Sequence, residues 1–155
     1  LMSDAVDMVK LVRDLPNRAR GRAAIVLTHE FRGQKPWAAE LAGQTDSDRI
    51  DLLDTFSADE TLSGNLSQFS VPKLFEFLKD KSQKPVLVVS GVEFLKATWD
   101  GQSNAVDQFA SHVETWNHSP CLLFVLQHDS ALASRSFRRF RQYTFVVDQR
   151  ETLQL

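Results

Sequence analysis

Five short apolar runs, rich in β-branched residues, recur along the chain, and helical patterns fill most of the space between them. The runs are Ala23–Thr28 (AAIVLT), Arg49–Asp54 (RIDLLD), Pro85–Ser90 (PVLVVS), Cys121–Gln127 (CLLFVLQ) and Tyr143–Asp148 (YTFVVD). Within them AIVL, VLVV and LLFVL are continuously apolar instead of alternating. That is the pattern of strands buried on both faces, as in a parallel sheet covered by helices.

The intervening segments read as helices. Ser3 can cap a first helix over 3–15, with Val6, Val9 and Val12 at helical spacing and Pro16 ending it. Pro36 opens a second (PWAAELA), because proline is tolerated in a first turn. Ser70 caps VPKLFEFLKD, whose Val71, Leu74, Phe75 and Leu78 share a face. A fourth helix runs from about Ser103 to Trp116 and a fifth over Ala131–Phe140. Thr45–Gln68, acidic and then Ser-rich, reads as the irregular stretch. Strands alternating with helices predict a three-layer α/β/α fold around a mainly parallel five-stranded sheet, in one domain over 1–155.

Composition narrows the class. The 155 residues are 43% apolar and 25% charged, as in a globular domain. The net charge of −2 offers no general attraction for a polyanion, so any nucleic-acid contact must use a local basic patch. A single cysteine, Cys121, excludes an internal disulfide and fits a reducing compartment. There is no apolar run long enough to cross a bilayer and no long apolar leader, so a cytoplasmic protein is expected.

The first strand leads into Thr28-His-Glu-Phe-Arg-Gly33-Gln34-Lys35 and then a helix. A phosphate-binding loop has the form GxxxxGK[ST] between a strand and a helix. Its glycines let backbone N–H groups wrap the phosphates, its lysine reaches the terminal phosphates and its hydroxyl holds Mg²⁺. Here Thr28 takes the first glycine position and Gly33 the second. Gln34 stands at the lysine and Lys35 at the hydroxyl. Lys35 reaches a phosphate only if the loop is one residue longer than usual, and Glu30 would repel a triphosphate.

The strand Val86–Val89 ends in Ser90-Gly91-Val92-Glu93, where a metal-binding Asp followed by Glu would serve hydrolysis. Glu93 either turns back toward the site or sits in the first turn of a short helix. Gln127 ends the fourth strand, where a polar residue can sense a terminal phosphate. The nucleotide-binding candidates are therefore Gly33, Gln34, Lys35, Glu93 and Gln127.

The segment from Ser134 to Tyr143 packs four arginines and three aromatics into ten residues. Arg135, Arg138, Arg139 and Arg141 are candidates for nucleic-acid contact or for an arginine finger serving a neighbouring subunit. Alternatively, Phe137 and Phe140 anchor a helix whose wet face carries the arginines. Lys10, Arg13, Arg18, Arg20 and Arg22 form a second basic cluster. His112, His118 and Cys121 lack a fourth zinc ligand, and no nucleophile signature is present, so no metal site and no catalytic residue is expected.

The strand order, the position of THEFRGQKPWAAELA, the VLVVSGVEFL strand and the Arg-rich approach to YTFVVD together resemble small P-loop proteins of the RecA and AAA type, over roughly Ala23 to Asp148. In size the chain also resembles the BrxF component of bacteriophage-exclusion (BREX) systems. The resemblance implies a P-loop NTPase-like fold and a role in bacterial antiviral defence beside DNA-modifying and helicase-like partners. The departures at Gln34, Lys35 and Ser90 remove the lysine, hydroxyl and aspartate such proteins use. The expectation is a non-hydrolysing interaction or scaffold protein, contacting protein partners or further copies of itself, with no bound cofactor. Alternatives are a divergent ATPase using Mg-ATP, Lys35 and Glu93, and a DNA-binding module working through Arg135–Arg141.

Overall fold

A computed structural model describes residues 5–99 and 104–155. In chain order the main elements begin with α1 (Met8–Asp14), β1 (Ala23–Thr28), α2 (Phe31–Gln44) and β2 (Asp48–Asp51). Next come α3 (Leu52–Ser57), α4 (Glu60–Gly64), α5 (Val71–Leu78), β3 (Val86–Ser90) and α6 (Glu93–Thr98). Finally there are α7 (Ala105–Thr115), β4 (Cys121–Gln127), α8 (Ser130–Ala133) and β5 (Val146–Asp148).

All five apolar runs contribute strands to one sheet in the order β2-β3-β4-β1-β5, and every pairing is parallel. The unbroken apolar stretches are explained by two cores. Ile25, Leu27, Leu87, Val89, Phe124 and Leu126 face a core closed by α3, α5, α6, α7 and α8. Ala24, Val26, Val88, Leu123 and Val125 face the other, closed by α1 and α2. Side chains alternate sides along a strand, so a strand covered on both faces needs apolar residues at every position. The fold is thus an α/β sandwich of three layers with an all-parallel sheet. Among the described residues, no helix is long and apolar enough to cross a membrane.

Several boundaries differ from the expectations. The first helix starts at Met8, where the Asp7 side chain accepts from Lys10 N at 3.1 Å. The cap expected at Ser3 and the expected start of the fourth helix at Ser103 lie outside the described residues. The second helix starts at Phe31, five residues before Pro36, which falls inside it. Pro36 has no N–H to give the carbonyl of Arg32, so the first turns tolerate one missing bond. The RIDLLD run is a strand only to Asp51. There the Asp51 side chain accepts from Asp54 N at 3.0 Å and starts α3. Consequently Thr45–Gln68 is largely ordered, holding β2, α3, α4 and a short 3-10 turn. Ser70 caps α5 as expected. The fifth helix stops at Ala133, and the arginine segment beyond it is not helical.

Phe124 sits at the centre of the larger core, with its ring 4.9 Å from Phe109 and 5.5 Å from Phe75. It is fully buried. Phe124→Ala is expected to cost about 3–5 kcal/mol of unfolding free energy and Phe124→Leu clearly less, as read from urea denaturation midpoints.

Candidate functional site

In an open parallel sheet, ligands bind beyond the carboxyl ends of the strands, where neighbouring strands send their following helices to opposite faces. Here that point lies between β1 and β4. After β1 the chain enters α2 on one face, and after β4 it enters α8 on the other. Thr28 is in register with Gln127 across this junction.

The residues that meet there do so because each ends or follows a strand. Gln34 lies on the buried stripe of α2 with Ala38, Leu41 and Ala42, at helical spacing i, i+4, i+7 and i+8. Its amide Nε2 donates to Glu93 Oε2 at 2.8 Å and to Thr28 Oγ1 at 3.3 Å. The Thr28 hydroxyl in turn donates to Leu126 O at 3.2 Å. Glu93, the first residue of α6, also accepts the backbone N–H of Gln127 at 2.7 Å. One carboxylate oxygen thus ties β3's exit, β4's end and α2 together. Its partner oxygen, Oε1, is buried with no hydrogen-bond donor among the described residues.

Of the five nucleotide candidates, Gln34, Glu93 and the backbone of Gln127 are brought together. Gly33 and Lys35 are not. Gly33 lies within α2 on its exposed side, with nothing near a Cβ placed there. Lys35 projects outward and pairs with Asp54 of α3, which raises its pKa through that hydrogen bond. Only His29 and Glu30 separate β1 from α2, so the residues expected to form a phosphate loop are helical. Glu93 does both things the sequence offered: it starts a helix and turns into the crevice. Ser90 donates to Asp51 Oδ2 at 2.9 Å. A Cβ on Gly91, whose φ is +70°, would meet the same carboxylate at 2.6 Å. Asp51 thereby fills the space beside the end of β3.

A second cluster lies along the same sheet edge. His29 Nε2 donates to Asp148 Oδ2 at 3.0 Å, and the His29 and His128 rings stack with centroids 4.7 Å apart. One donor atom from each of His29, His128 and Asp148 lies within 4.8 Å of the others, so these three could hold a metal ion. Burial pushes the Asp148 carboxyl up. Hydrogen bonds from Arg150 and His29 outweigh that and hold it well below the usual carboxylate range. Sequence spacing could not reveal this trio. The available signal was that the runs AAIVLT, CLLFVLQ and YTFVVD each end at or next to a ligating side chain. The trio set aside from sequence is not a site. His112 stacks on Phe75 and His118 meets Trp116 edge-on, whereas Cys121 faces the opposite core.

The arginine segment is tied down by its aromatics. Phe137 stacks on Phe145 with centroids 5.0 Å apart, and Phe140 lies against Tyr143. Arg135 pairs with Asp107 at 2.5 Å. The side chains of Arg138, Arg139 and Arg141 are exposed and form no ion pair among the described residues, although Arg139's backbone N–H reaches Glu114. Part of the N-terminal basic cluster meets the end of this segment. The Arg18 guanidinium lies 4.6 Å over the Tyr143 ring and donates to Thr144 O at 2.9 Å.

Glu93→Ala is expected to destabilise the protein by about 1–3 kcal/mol, because it strips the buried Gln34 amide of its strongest acceptor. Lys35→Ala is expected to leave the melting temperature unchanged, which thermal unfolding of both variants would check. No protein-family model, curated protein or solved structure matches the chain.

Proposed function

We propose that the chain is a non-hydrolysing interaction module on a RecA/AAA-like P-loop sheet, acting within a bacterial DNA-linked assembly such as a phage-defence complex. The observation that carries this reading is the Gln34 amide. It occupies the crevice where a nucleotide's terminal phosphates would need a cation, and it is held there by Glu93 and Thr28. A neutral amide bonded to a carboxylate supplies no charge for a triphosphate, and Glu93 adds repulsion. The strand order, with β4 between β1 and β3, and the crevice at the β1–β4 junction support the sheet comparison. Ser90 is engaged by Asp51, and Lys35 projects away from the crevice toward Asp54.

Calorimetric titration with Mg-ATP should show no saturable binding up to millimolar nucleotide. A dissociation constant below about 100 µM, weakened by Gln34→Ala, would overturn the reading.

A second reading, DNA contact, is favoured by the exposed Arg138, Arg139 and Arg141 side chains, unpaired among the described residues, which the anchored aromatics hold on one segment. It predicts DNA binding at low salt that weakens as salt rises. Replacing all three arginines with alanine should reduce the salt slope by up to about three. Absent or salt-independent binding in a fluorescence-anisotropy titration rejects it.

A further inference from the structure

We propose that His29, His128 and Asp148 form a binding site for a divalent first-row transition ion, with Zn²⁺ as the best match to the donor set. The proposal rests on strand register and donor chemistry, and is independent of what the crevice beside Gln34 does.

The three side chains come together because of how the sheet is built. β4, β1 and β5 are adjacent, with Thr28 opposite Gln127 and Leu27 opposite Asp148. The ladder reaches one residue past the end of β4, since His128 N–H donates to Thr28 O at 2.7 Å. That places His29 level with His128. Side chains in register on neighbouring parallel strands project to the same face, at the interstrand spacing of about 4.8 Å. Asp148 is in register with Leu27, two residues before His29 and hence on the same face. Three ligating groups therefore converge from three separate strand ends, each on a backbone fixed by the sheet.

The geometry is close to what an ion needs. Tetrahedral bonds of about 2.0–2.1 Å set neighbouring donors about 3.3 Å apart. The hydrogen bond from His29 Nε2–H to Asp148 Oδ2 is 3.0 Å long and the whole trio falls within 4.8 Å; an ion bound between them takes the place of that proton, which moves to Nδ1. With every donor pair inside 4.8 Å, the closure required is at most about 1.5 Å. His128 can supply it, being exposed and without a side-chain hydrogen bond among the described residues.

The surroundings favour the same arrangement. Asp148 Oδ1 accepts the backbone N–H of Arg150 at 2.9 Å, which orients the carboxylate and leaves Oδ2 turned to His29. Such outer hydrogen bonds commonly fix metal-binding carboxylates. The Arg150 guanidinium, 3.2 Å from Oδ2, competes for that oxygen, but its side chain is 69% exposed and can swing into solvent. Two imidazoles and one carboxylate suit Zn²⁺ and its first-row neighbours and not Mg²⁺ or Ca²⁺, which take oxygen ligands. Three protein ligands leave a fourth position for water or the oxygen of another molecule.

The test is a Zn²⁺ titration of the chelator-treated full chain by calorimetry, repeated with Co²⁺ and followed by its visible absorption. One ion per chain with a dissociation constant of about 10 µM or tighter is expected, undisturbed by millimolar Mg²⁺. His128→Ala should weaken binding about tenfold or more, and so should Asp148→Asn. Because His128 is exposed, its variant should keep the wild-type circular dichroism and melting temperature, which separates lost ligation from lost folding. Arg150→Ala should bind no more weakly than wild type and up to about fivefold more tightly. Absence of saturable Zn²⁺ uptake would overturn the proposal. Equal affinity in wild type and His128→Ala would also overturn it, by placing the ion elsewhere.

Discussion

Because β1, β3 and β4 carry apolar side chains on both faces, the sheet cannot leave either face to water, and most of the architecture follows from that requirement. Two cores must be closed, so helices lie on both sides. Parallel neighbours must be joined by crossovers long enough to return the chain to the same end. All five strands then finish at one edge, and the polar residues that terminate apolar runs collect there. Thr28, Ser90, Gln127 and Asp148 share an edge for this reason, although they lie far apart in sequence.

At that edge the chain spends its polar groups on itself. Glu93 receives Gln34 and the Gln127 amide, Asp51 receives Ser90, and Asp54 takes Lys35. A buried amide–carboxylate contact is favourable only while both partners are satisfied, and losing either leaves the other desolvated. The network therefore ties the end of β1, the end of β4, α2 and α6 together across the crevice. The His29, His128 and Asp148 cluster differs in kind, since His128 is exposed, stacks on His29 and makes no side-chain hydrogen bond among the described residues. It is the part of the edge with donor capacity to offer an outside partner.

The arginine segment makes a similar division between structure and availability. Its aromatics pack against Phe145 and one another, and Arg18 covers the Tyr143 face. Rings used this way are not free to stack on bases. Contact of this segment with a polyanion would come from Arg138, Arg139 and Arg141 as exposed charges, which position a partner without reading its sequence.

The fold was legible because hydrophobic continuity is local: AIVL, VLVV and LLFVL reveal double burial without knowledge of their partners. The start of α2 was less legible. Gly33 and Pro36 both argue against an early helix, but burial of Gln34 and Ala38 on one stripe extends it to Phe31. The Ala131–Phe140 pattern failed the opposite way, because Phe137 and Phe140 find their partners in Tyr143 and Phe145 without continuing a helix. The sequence by itself determined the strands, their burial on both faces and the residue types at Gln34, Lys35 and Ser90, none of which is the lysine, hydroxyl or aspartate that a P-loop protein carries at that position. Only the tertiary structure decided that Gln34 meets Glu93 while Lys35 turns away, and that two histidines and an aspartate converge. Those outcomes depend on helix phase and on register between strands separated by about a hundred residues, and no local pattern encodes either.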